Sequence, residues 1–310
     1  ILRQANTFLV SFVETTEAWE ASLELFQSPN EHVRFFASNI LYTKVRRHWS
    51  QLNSTQQNEI YQFLINVVEN FEKYNSATAL KGSNEHQAFV GRVILSLCCV
   101  CCFAKDGLAM FMDIAFRKIN LLLIANHSEA DVISAMVGLE MIHLLPTEVD
   151  AMDINASTRS ELETTLVKCA PLVMEKIDQI SMNSASVVNF SSQYSRDLHI
   201  CIIKAMRSWL LQGITLTNLF EDHEVALRLV CAFLQSDDPE RVKIGSSFLR
   251  ELVCVSDYPR SRKRNDAVIL LMRSFVESTA QLAPFFDLNS DSGDQDVGYE
   301  ICYCMVSIAS

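Results

Sequence analysis

The chain has 310 residues, 49% of them hydrophobic and 20% charged, with a mean hydropathy of +0.13, which excludes general disorder and supplies material for a large core. Only 8 glycines and 6 prolines punctuate it, too few for the turn-rich sandwiches and barrels. A net charge of −11 argues against non-specific nucleic-acid binding, which needs a basic surface, and favours basic partners.

Leu, Ala, Glu, Met and Phe recur at three- and four-residue spacing almost throughout, and no alternating run bounded by turn signals supports a sheet. The predicted helical segments are 1–13, 16–27, 30–47, 54–72, 85–104, 107–124, 129–145, 158–180, 194–211, 217–235, 239–255 and 262–282, with another opening at about 295. In the third, Phe36, Ile40 and Leu41 share a face with Ala37, and Arg46 to Leu52 forms the exit turn. A helix that short is not stable alone in water and has to bury this face on a neighbour. Breaks are expected at 146–158 and 181–192, and Pro171 predicts a kink or a new helical start. Asp238 before Pro239 is a strong start signal, because aspartate caps free amides and proline tolerates the first helical position.

Taken in pairs, the segments make helical hairpins: 1–13 with 16–27, 30–47 with 54–72, 85–104 with 107–124, 129–145 with 158–180, 194–211 with 217–235, and 239–255 with 262–282. The unit recurs about every 40 to 65 residues. Such hairpins bury their faces by stacking, which predicts an all-α solenoid with a continuous core rather than one closed globule. Ile1 and the segment from Tyr303 to Ser310 both stop inside apolar patterns, so the chain is expected to be part of a longer one.

Ten cysteines without a signal-like start point to a reducing compartment, with thiols serving as small buried hydrophobes. The Asn-x-Ser/Thr triplets at Asn53, Asn126, Asn155 and Asn189 would matter only in a secreted protein. Val93 to Ala104 is too short to span a bilayer, which takes about 20 residues, and reads as a buried core helix.

The order and spacing of several residues resemble the amino-terminal region of importin-beta-type nuclear transport receptors (karyopherins), within them the importin-13/transportin-3 group. These are Ala18-Trp19-Glu20, Phe35-Phe36-Ala37-Ser38 leading to Lys44, and His48-Trp49-Ser50-Gln51-Leu52. Leu144 to Glu148 closing a helix, the Ser208-Trp209-Leu210 helix end and the segment from Gly298 to Ala309 agree with it. Asn53 departs from it, standing where a proline is common.

The resemblance implies a HEAT-repeat α-α superhelix, with importin-beta N-terminal-type hairpins over 1–72 and further hairpins over 73–310. It also implies a receptor of the nucleus and cytoplasm that binds a Ran-type GTPase in its GTP form, protein cargo, expected to be basic, and nucleoporins, without cofactor, membrane or direct nucleic-acid contact. In such receptors the first helices line the convex face and the second the concave face, where the GTPase sits. The inner helices would be 16–27, 54–72 and 107–124, and their polar positions off the packing stripe are Glu17, Glu20, Glu24, Gln62, Asn66, Glu69, Asp113 and Arg117. A HEAT-repeat scaffold subunit of a phosphatase or other complex is the alternative.

Other constellations are weaker. Cys98, Cys99, Cys101 and Cys102 contain overlapping C-x-x-C spacings but point to at least two sides of one helix, and no second pair follows at finger spacing. Asp287, Asn289 and Asp291 start like a calcium loop, but Ser292 and Gly298 stand where glycine and glutamate belong. Arg260 to Arg264 reads as a solvated basic loop. His223-Glu224 opens an H-E-x-x-H pattern that Leu227 breaks, and no P-loop, dinucleotide fingerprint or nucleophile elbow is present, so an enzyme is not expected. Trp19, Trp49 and Trp209 read as packing anchors.

Overall fold

The computed structural model describes residues 11–71, 84–104, 106–124, 128–187, 192–210, 212, 223–234, 236 and 238–256. The segments at 262–282 and from 295, the basic run at 260–264, the calcium-like stretch at 287–298 and the piece from Gly298 to Ala309 lie outside the described residues. All regular structure among the described residues is helical: α1 (Glu17–Leu25), α2 (Glu31–His48), α3 (Ser54–Glu69), α4 (Asn84–Phe103), α5 (Gly107–Asn120), α6 (Glu129–Ala151), α7 (Ala156–Val187), α8 (Ser192–Trp209), α9 (Glu224–Leu234) and α10 (Pro239–Ser256), with 3-10 turns at Trp49–Gln51 and Leu121–Leu123. The helices pack against one another as an all-α HEAT-type hairpin array. The chain divides into two compact units, Ile1–Asn120 with Ile133–Leu162, and Leu121–Val132 with Glu163–Ser310.

In the first unit, α1 packs on α2, α2 on α4, and α4 on both α3 and α5. Small residues allow the closest of these approaches. Ala37, Ser38 and Ser96 are fully buried, and the two hydroxyls satisfy themselves on their own helices, Ser38 on the Phe35 carbonyl at 2.7 Å and Ser96 on the Arg92 carbonyl at 2.8 Å. Ile40 and Leu41 are buried as expected, whereas Phe36 is only partly so. Around Ser96 the middle of α4 is apolar, and Ile94, Leu97, Cys98, Cys99, Val100, Cys101 and Cys102 are all buried. Helices α1, α3 and α5 meet side by side: the Phe26 ring, just after α1, stands edge-on to Phe63 of α3 at 5.2 Å, and Arg117 of α5 reaches Glu69 of α3 at 3.0 Å.

The helix starts follow local chemistry. Asn30 accepts from the backbone N–H of His32 at 2.9 Å, and Asn53 forms a reciprocal capping box with Gln56 at 3.0 and 3.1 Å. Asn53, the departure from the receptor pattern, is thus itself a strong helix-starting residue. Arg46 and Arg47 belong to the last turn of α2, where cations favour the helix dipole, and the exit turn starts only at Trp49.

Lys44 is nearly fully buried. Its ammonium donates to the Thr15 carbonyl at 2.9 Å and lies 5.4 Å from the centre of the Trp19 ring, while burial pushes its pKa down. Trp19 is 7% exposed and covers this charge. Trp19→Ala therefore removes a large apolar contact and wets a buried cation, at an expected cost of about 3 to 5 kcal/mol. An unchanged melting temperature would refute this role.

Two prolines do not break the chain where the sequence suggests. Helix α6 continues through Pro146 to Ala151, so Leu144 to Glu148 does not close it. Leu145, Glu148 and Val149 are buried, and arginines satisfy the far end: Arg159 donates to the Asp150 carbonyl at 3.1 Å and the Met152 carbonyl at 2.6 Å, and Arg46 donates to that of Ala151. The break falls at 152–155, where Asn155 caps α7 through the Thr158 N–H at 2.9 Å. Helix α7 then runs unbroken past Pro171 and position 180 to Val187. Pro171 sits on its exposed side, where water can bond the carbonyl that loses its donor. Among the described residues α6, rather than the Val93 to Ala104 stretch of α4, is long and apolar enough to cross a membrane by length and composition, and 67% of its most apolar window is buried within the protein.

In the second unit, α8, α9 and α10 pack together. Arg196 of α8 holds Asp238 at 2.6 Å and Glu240 at 2.7 Å, and Arg207 holds Glu251 at 2.6 Å. Asp238 also accepts from the Glu240 N–H at 3.1 Å, so the expected helix start at Pro239 carries a long-range brace as well as a cap. Asp178 of α7 pairs with His223 and accepts the Ala226 N–H at 3.2 Å, which fixes the start of α9. His223 is thus a structural partner of Asp178. Trp209 is fully buried.

Candidate functional site: an exposed polar face on α1, α3 and α5

The three side-by-side helices of the first unit leave one row of positions in water. Glu17, Glu20 and Glu24 on α1, Gln62, Asn66 and Glu69 on α3, and Asp113 and Arg117 on α5 are all exposed. Their helices turn the opposite faces inward: Ala18, Trp19 and Ser22 on α1, Ile60, Leu64, Val67 and Val68 on α3, and Phe111, Ile114, Ala115 and Ile119 on α5 are buried. Amphipathic spacing alone thus selects which side chains a partner can reach.

Within the row, α3 and α5 are linked. The Arg117 guanidinium bridges Glu69 and Asp113, with both N–O distances 3.0 Å. Asn66 accepts from Asn70 at 2.7 Å. Glu17, at the start of α1, has its carboxyl held below the usual range by its own backbone N–H and by the Thr15 hydroxyl. Glu59 is exposed on α3 as well. The face is therefore acidic and hydrogen-bonding, with one arginine held between two carboxylates. Such a surface suits a basic protein partner.

Two further groups escaped the sequence reading. Tyr61 and Met110 meet on the α3–α5 side, the tyrosine hydroxyl donating to the Met110 sulfur at 2.6 Å. A buried polar cluster joins α2, α4 and α6: Glu148 accepts the Tyr42 hydroxyl on both oxygens at 3.0 Å and the Cys99 thiol at 3.1 Å, with Arg46 at 3.7 Å. Tyr42 is stacked by Arg92 at 5.0 Å and by Arg46 at 5.8 Å. Arg46 shares α2 with Tyr42, but Arg92, Cys99 and Glu148 lie 50 to 106 positions from Tyr42 in the chain, beyond the reach of any local pattern.

Fold and surface together define an all-α helical-repeat protein that presents an acidic face on α1, α3 and α5. Residues 5–69 match the family model of the Importin-beta N-terminal domain, which supports the importin-beta superfamily. That segment contains α1, α2 and α3, and so six of the eight polar positions. No curated protein matches the chain.

Proposed function

We propose that the chain is part of a nuclear transport receptor of the importin-13/transportin-3 kind, which binds a Ran-type GTPase in its GTP form on the exposed face of α1, α3 and α5. Protein cargo and nucleoporins are its further partners, and it works in nucleus and cytoplasm by non-covalent binding rather than catalysis. The observation that carries the reading is the coincidence of the importin-beta N-terminal match with the helices that hold Glu17, Glu20, Glu24, Gln62, Asn66 and Glu69 in water.

The acidic row attracts a basic partner surface at a rate that salt reduces, since exposed charges are screened over about 8 Å at physiological ionic strength. Hairpins that contact mainly their neighbours change pitch at low cost per repeat, so GTPase and cargo compete through curvature as well as overlap. The coupling is reciprocal: the GTPase loosens import cargo by the factor by which cargo loosens the GTPase.

A binding titration of the chain with the GTPase in its two nucleotide states tests this, the expected result being tighter binding of the GTP form. Equal affinity for both states would point to the scaffold-subunit alternative instead.

A further inference from the structure

On the exposed side of α3 and α5, two side chains are poorly served by the chain itself. Met110 is 46% exposed, three residues before Asp113 on α5. Tyr61 lies one residue before Gln62 on α3, and its hydroxyl is bonded to the Met110 sulfur and lies against the Cys101 thiol. The acceptor is a thioether sulfur, which accepts weakly. Among the described residues no oxygen or nitrogen takes this hydroxyl. The exposed charges of the same two helices are Glu59, Glu69 and Asp113 against Arg117, an acidic surround for an apolar spot.

We propose that Tyr61 and Met110 form the apolar centre of the interface on α3 and α5, seating an apolar side chain from a partner surface ringed by lysine and arginine. The Tyr61 hydroxyl turns there from sulfur to a backbone carbonyl of the partner. This deepens the GTPase reading and rests on it. Exchange of a sulfur acceptor for a carbonyl strengthens the hydroxyl's hydrogen bond. Covering the Met110 thioether removes apolar surface from water. The carboxylates steer the encounter and exclude partners of the wrong charge. A tyrosine and an apolar anchor at the centre, with charges at the rim, is the division of labour that concentrates affinity in few residues.

The test is calorimetric titration of the full chain with the GTP-loaded GTPase at two salt concentrations. Met110→Ala is expected to weaken binding by about tenfold and Tyr61→Phe by about threefold or more, without change in melting temperature. Neither alters the salt dependence, because neither removes a charge, whereas Glu59→Lys flattens it. If the unaltered chain binds and both variants bind equally well, this inference falls and the GTPase reading stands. A loss of affinity that accompanies a lowered melting temperature also overturns it. If the unaltered chain binds in neither nucleotide state, both fall.

Discussion

Gly107→Ala is expected to destabilise the chain by about 3 kcal/mol or more, because the added methyl meets backbone rather than a side-chain tip that could swing away. A Cβ at 107 would overlap the Cys101 carbonyl oxygen and lie 2.8 Å from the Cys101 carbonyl carbon and Cα. The turn has no slack to offer: Asp106 already holds the left-handed region at φ 60°, and the Gly107 N–H is bonded to the Ala104 carbonyl at 3.1 Å. Relief therefore has to come from moving α5 away from α4. That displaces Asp113 and Arg117 relative to Glu69, so the proposed affinity for a GTPase is expected to fall with stability. Denaturant unfolding measures it as a lowered midpoint. Gly91→Ala is the control: a Cβ there meets nothing within 4 Å, and the change is expected to be neutral or stabilising by about 0.5 to 1 kcal/mol. Equal midpoints for the two variants would dispose of the steric argument.

Glu148→Ala is expected to cost about 3 to 5 kcal/mol, since it strands the groups that converge on a buried carboxylate. The Tyr42 hydroxyl and Cys99 thiol lose their acceptor, and Arg46 its counter-charge. Glu148→Gln, which keeps shape and an acceptor oxygen, is expected to lie between the two. A double-mutant cycle with Tyr42→Phe reads the coupling directly, at about 0.5 to 3 kcal/mol, and a cycle that closes to zero would sink the account. The cluster also has an alkaline signature. Burial first, and then the Glu148 charge, push Tyr42 from its ordinary 10.0 to about 12. The fold thus prefers the neutral phenol, and its contribution is complete below about pH 10 and lost as pH rises through about 12. Removing Glu148 takes away part of that upward push, so this alkaline loss of stability is expected to shrink in the variant.

Much of the fold was legible in the sequence because it is written in local periodicity. The spacing of Ala37, Ile40 and Leu41 defines a face whatever lies opposite, and Asp238 before Pro239 starts a helix by chemistry confined to a few residues. The proline signals misled for a matching reason. A proline cost is local, but the helix end is settled by groups outside the helix: Arg159 from the start of α7 and Arg46, 105 positions away, supply donors to the last carbonyls of α6, and the reach of Arg46 across the fold is invisible in the order of residues. Pro171 starts no new helix, because its side of α7 faces water, a fact about burial.

The candidate site divides in the same way. Glu17 to Arg117 could be picked out as positions off the packing stripe, since amphipathic spacing dictates which side chains remain in water. The Arg117 bridge to Glu69, the Tyr61–Met110 contact and the convergence of Tyr42, Cys99 and Glu148 needed the stacking of separate hairpins. The sequence by itself determined the helical class, the hairpin repeat and the exposed polar row, because each depends on free energies summed over neighbouring residues. Only the tertiary structure decided helix ends, buried polar pairings and the apolar spot within the acidic face, because each depends on which distant donors, acceptors and side chains the packing brings within a few ångströms.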